Sequence, residues 1–90
     1  MSIKNILVLA RRDHAEAMRV AAGLTIAGHG VRIVFMTKPV EDTPENREQA
    51  ETLELCDIEP ETTVEGEDLS FLDNAALSLA FLKADDIVTL

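Results

Sequence analysis

The sequence predicts a three-layer α/β/α fold built on a parallel sheet of about four strands. Two observations carry that prediction. Residues Ile6-Leu7-Val8-Leu9-Ala10 are apolar at every position, so neither side of this strand can face water, as in central strands covered on both faces. Strand-like and helix-like stretches then alternate along the chain, the pattern of βαβ units around one parallel sheet. Ninety residues, with no linker or repeat, read as one domain spanning 1–90. A chain this short buries only about 60–65% of its unfolded surface, which makes self-association a cheap source of further burial. A homo-oligomer is therefore expected.

The elements follow in order. Ile3–Ala10 forms the first strand. Asp13 with Glu16 three residues later has the form of a capping box and opens a helix. Its apolar positions Ala17, Val20, Ala21, Leu24 and Ala27/Gly28 share one face. Gly28-His29-Gly30 ends it, because glycine readily takes the left-handed conformation of a helix C-cap. Val31–Met36 is a second strand rich in β-branched residues. Thr43-Pro44 reads as an N-cap followed by proline at the first helical position, and the charged helix runs to Cys56 with few apolar positions, Ala50 and Leu53 among them. Glu61–Glu65 reads as a short polar strand at the sheet edge. Asp68 or Ser70 caps a last helix reaching about Lys83, with Leu69, Leu72, Ala75, Ala76, Leu79 and Leu82 as its buried face. Ala84-Asp85-Asp86 then turns into a final strand, Ile87–Leu90. Polar and apolar strands sort into the order 3-2-1-4, which reverses winding at the first strand and opens a crevice beyond its C-terminal end.

Charge excludes some function classes. Residues 1–40 carry six basic and two acidic side chains, and residues 41–90 carry two and fifteen, so a net +4 first half is joined to a net −13 second half. An acidic protein of this kind is repelled by nucleic acid and by anionic membranes. The acidic half reads as a solvated surface or as a patch for a basic protein partner. The N-terminal apolar run is too short for a signal peptide or a membrane span, and the single cysteine, Cys56, permits no intrachain disulfide. A cytoplasmic location is expected.

Three places could carry chemistry. Arg11, Arg12 and His14 cluster where the first strand gives way to the first helix, where backbone N–H groups and cationic side chains can hold an anion such as phosphate, sulfate or thiosulfate. Surface charges or an intersubunit ion pair would explain the same residues. Cys56 closes the second helix among Glu54, Asp57 and Glu59, a setting that disfavours an activated thiol. It reads as a cysteine packed beside Leu53, or as a sulfur carrier. His29 reads as a turn histidine, solvent-facing or bound to a neighbouring carbonyl. No metal-ligand set, cofactor motif or catalytic triad is apparent, and no catalytic residue is expected beyond Cys56 as a candidate.

Ala17–Val40, an Ala-rich helix running into Gly28-His29 and then an apolar strand, resembles the first βαβ unit of the DsrE/DsrF-like family. The tail Leu82-Lys83-Ala84-Asp85-Asp86-Ile87-Val88-Thr89-Leu90 is similar to that family's closing helix-Ala-Asp-strand, and the order of elements agrees over nearly the whole chain. The resemblance implies a small cytoplasmic oligomer associated with sulfur metabolism. Members of that family either relay sulfur as a cysteine persulfide or serve as non-catalytic partners in mixed complexes. The relay cysteine follows the third strand, and the matching stretch Glu65-Gly66-Glu67-Asp68-Leu69-Ser70 holds none. The expectation is thus an accessory, non-catalytic protein. The alternatives are a persulfide carrier using Cys56, or an anion- or nucleotide-binding module at Arg11, Arg12 and His14.

Overall fold

In the computed structural model, which describes residues 3–67 and 69–90, five strands form one sheet in which every neighbouring pair is parallel. The elements are β1 (Asn5–Ala10), α1 (His14–Ile26), β2 (Gly30–Phe35), α2 (Pro44–Leu55), β3 (Glu61–Thr62), β4 (Ser70–Phe71), α3 (Asn74–Lys83) and β5 (Asp86–Thr89). The order is β4-β3-β2-β1-β5. The expected order 3-2-1 followed by the last strand is present, with one further strand, β4, laid outside β3.

The apolar run works as its composition demands. Ile6, Val8 and Ala10 point with Ile33 and Phe35 toward Ala17, Met18, Ala21 and Ala22 of α1 and Leu53 of α2. Leu7 and Leu9 point with Val34 to the opposite face, against Leu72 and Ala80 of α3. The helices thus lie on both faces, α1 and α2 on one and α3 on the other. In α1 the buried stripe is His14, Ala17, Met18, Ala21 and Ala22, while Val20 and Leu24, expected within it, lie half-buried at its flank.

Local signals set the helix ends. Asp13 Oδ1 accepts from the Glu16 N–H at 3.0 Å. The capping box is only half made, because Glu16 turns its carboxylate to Arg19 and the Asp13 N–H goes to the Leu90 carbonyl at 3.2 Å. Gly28, at φ 97°, supplies the left-handed residue after α1. The His29 Nδ1 accepts from the Lys4 N–H at 3.2 Å and so ties this turn to the entry of β1, rather than holding a carbonyl. Thr43 caps α2 through the Asn46 N–H at 3.1 Å, with Pro44 following as expected.

The second half departs from expectation in three ways. The strand expected over Glu61–Glu65 ends at Thr62, because Val64 donates its N–H to Thr62 Oγ1 at 3.0 Å in place of a ladder bond. It is not the edge strand either, since β4 pairs outside it and Leu72 donates to the Thr62 carbonyl at 2.8 Å. The last helix starts at Asn74, capped by Asp73, which accepts from the Ala76 N–H at 2.8 Å. Ser70 belongs to β4, and the expected cap Asp68 lies outside the described residues. The face of α3 also differs: Ala76, Leu77 and Ala80 meet the sheet, whereas Ala75, Leu79 and Leu82 are exposed, Leu82 to 81%.

Candidate functional site

In a parallel sheet the loops beyond the C-terminal ends of the strands form the ligand-binding rim. Two clefts open there. One lies at the winding reversal between β1 and β5, is about 420 Å³ in volume, and is lined by Arg11, Arg12, Asp13, Glu16, Thr89 and Leu90. This is the crevice the sequence points to. Its backbone donors are already engaged: the N–H groups of Arg12 and Asp13 both donate to the Leu90 carbonyl, at 2.9 and 3.2 Å. An anion arriving there would have to displace the chain's own acceptor.

The second cleft, about 370 Å³, lies beyond β1 and β2, where α1 and α2 both begin. Arg12, Asp13, His14 and Ala15 line it from the first helix. Lys38 and Glu41 line it from the loop after β2, and Thr43, Glu45 and Asn46 from the start of α2. Two positive helix termini therefore converge on one hollow. The structure brings Arg12 and His14 together here and leaves Arg11 in the neighbouring cleft, so the expected cluster of three is divided.

His14 is the unusual member. Helix α1 buries it to 5% exposure, with its ring edge-on to Phe35 at a centroid distance of 5.1 Å. Its Nε2 is buried and has no hydrogen-bond partner among the described residues. Native interiors rarely leave such a group unpaired. Burial, and then the Lys38 charge, hold the imidazole below its ordinary value of 6.5, against weaker opposing effects of hydrogen bonding toward the Met36 and Ala10 backbone and of the Glu41 charge. At neutral pH the ring is uncharged.

This depression sets a direction for stability. The unfolded chain takes up the His14 proton more readily than the folded one, so stability is present above the unfolded value of about 6.5 and falls as pH drops through it. Urea midpoints measured from neutral pH to about pH 5 should decline, and the His14→Gln variant should decline less steeply. Equal slopes for the two chains would show that the imidazole does not titrate in this way.

The loop carrying Lys38 is strained. Thr37 holds φ at 77° and the Lys38 N–H donates to the Met36 carbonyl at 2.9 Å, a tight three-residue turn that β-branched residues avoid. The turn places Lys38 on the cleft's rim. Nothing local in the sequence marks Lys38 and the start of α2 as neighbours of His14. The available signal was topological, because the segments after two adjacent parallel strands must meet at one edge.

Cys56 is elsewhere. It is the C-cap of α2, half-buried against the core that α1 and α2 share. Helix α2 starts at the second cleft and spans twelve residues, so its thiol end is about 18 Å from that rim. Among the described residues no group of three or more His, Cys, Asp or Glu side chains could hold a metal ion. Compared with protein-family models, with curated proteins and with solved structures, the chain matches none.

Proposed function

We propose that the chain is a DsrE/DsrF-like accessory protein of the cytoplasm, associated with sulfur metabolism, that acts by binding and self-association and carries no sulfur on its own thiol. One observation bears most weight: Cys56 caps the far end of α2, a helix length from the cleft at that helix's start, and lines neither cleft at the C-terminal ends of the strands. The segment where a relay cysteine would stand, residues 65–70, contains none, and it leads into β4 rather than a helix. The parallel βαβ order is the one the resemblance implies.

The uncovered side of α3 supports self-association. Leu79 is 55% exposed, Leu82 lies beside it in sequence order one turn on, and Phe71 of β4 is about half exposed. Exposed apolar side chains gathered on one element are a common mark of an interface. The acidic second half offers a surface for a basic protein partner. Among the described residues no helix is long and apolar enough to cross a membrane.

The test is persulfide transfer. The intact chain is treated with a low-molecular-weight persulfide, desalted, mixed with an acceptor thiol and weighed by mass spectrometry. The expected result is no sulfur adduct that passes to the acceptor. An adduct on Cys56 that transfers, and that vanishes in Cys56→Ser, would establish a carrier instead.

A further inference from the structure

We propose that the solvent side of α3 is the seam of a two-fold dimer with a second copy of this chain, the two helices antiparallel, so that Leu82 and Leu79 of each copy seat on Ala75 and Ser78 of the other.

The seam begins with a stripe. Ala76, Leu77 and Ala80 turn to the sheet. On the other side of the helix Ala75, Ser78, Leu79 and Leu82 are all exposed, at the i, i+3, i+4, i+7 spacing of one helix face. A helix face left to water normally carries charge, and this one carries none. Ile87 of β5 pairs with Leu7, so it lies on the same face of the sheet as α3, and it too is nearly half exposed. The uncovered apolar surface on this side is therefore not confined to the helix.

The order of residues in the stripe selects the partner. In a two-fold interface, where residue i of one copy meets j of the other, j also meets i. With the axis between Ser78 and Leu79, antiparallel packing sets Ala75 opposite Leu82 and Ser78 opposite Leu79. Every pair is a small residue against a large one, which is how two helix surfaces interdigitate. Parallel packing in register would set each leucine against itself and leave a gap between the alanines.

Charge and area agree with that occupant. Residues 69–84 carry one acidic and one basic side chain, Asp73 and Lys83, so the net −9 of the chain lies wholly outside this segment. A second copy can approach here without like-charge repulsion, and the antiparallel sense brings its Lys83 toward the Asp73 end. The chain exposes 5781 Å², whereas a folded monomer of its 9.9 kDa exposes about 5,200 Å². The excess of roughly 600 Å² approaches the ~800 Å² that each partner buries in a standard interface.

The seam rests on the proposed reading that the chain self-associates, and it is indifferent to the sulfur part of that reading. Sedimentation equilibrium of the full chain tests it. At about 100 µM the parent should weigh twice 9.9 kDa. Leu79→Glu and Leu82→Glu, each at an exposed position, should keep the circular dichroism of the parent while raising the dissociation constant roughly a hundredfold or more. Leu55→Glu, equally exposed but at the end of α2 on the other side of the sheet, should weigh as the parent does. Direction is read by cross-linking in a Cys56→Ser background: an oxidised mixture of the Ala75→Cys and Leu82→Cys chains should give mainly the mixed disulfide. A parent of single-chain mass would overturn both the seam and the self-association. A dimer unchanged in both glutamate variants, or cross-linked homodimers in excess of the mixed species, would overturn the seam alone.

Discussion

Replacing Leu7 with alanine should remove about 3 kcal/mol of folding free energy, within the 2–5 kcal/mol typical of a truncated buried leucine. Leu7 is 1% exposed in the central part of the sheet, between β2 and β5, and packs with Leu9, Val34, Leu72 and Ala80. Among the described residues α3 is the helix that covers this face, so little can shift to fill the hole. Small domains hold only about 5–15 kcal/mol in total, and a loss of this size lowers the urea midpoint by about 2 M. Leu7→Met, which preserves volume, should cost less than about 1.5 kcal/mol. A loss under about 1 kcal/mol for the alanine variant would show that this face is not sealed.

Leu53→Ala should have a comparable effect by a different route. Of the residues in α2, Leu53 alone is fully buried. The rest of that helix is charged and solvated, and a lone helix of twelve residues is marginal in water. Truncation is expected to cost about 2–5 kcal/mol and to release α2 before the sheet unfolds. Hydrogen exchange gives the discriminating readout: amides of α2 should exchange well ahead of those in Ile6–Leu9. Uniform acceleration of exchange across the chain would mean that α2 is integral to one cooperative unit.

What the sequence disclosed was decided by local chemistry. An unbroken apolar run marked β1, Asp13 and Thr43-Pro44 marked two helix starts, and Gly28 marked a helix end, each through interactions within a few residues. The face of α3 was hidden because Ala75, Ala76, Leu77, Leu79, Ala80, Phe81 and Leu82 are apolar nearly all round, and periodicity then has no polar side to exclude. Crossing over the sheet selects Ala76, Leu77 and Ala80 for contact. Asp73-Asn74 before that run was a usable cap signal, masked by two earlier candidates. Strand β4, two residues long, has no periodicity to detect and exists because it pairs with β3.

The candidate site was half legible for similar reasons. Arg12 and His14 stand in the sequence beside the capping signal of α1. Lys38 and Glu45 join them only because β1 and β2 lie side by side and in parallel, which delivers both following loops to one edge. The burial of His14 was missed because a polar residue at the first position of a helix normally faces water. Here it lies edge-on to Phe35.

The claim on which the rest depends is that Cys56, half-buried at the C-cap of α2, carries no transferable sulfur. The direct measurement is the mass of the intact chain after treatment with a persulfide, and of an acceptor thiol mixed with it afterwards. The predicted result is an acceptor that gains no sulfur. An acceptor that gains sulfur from the parent chain, and none from Cys56→Ser, would contradict it.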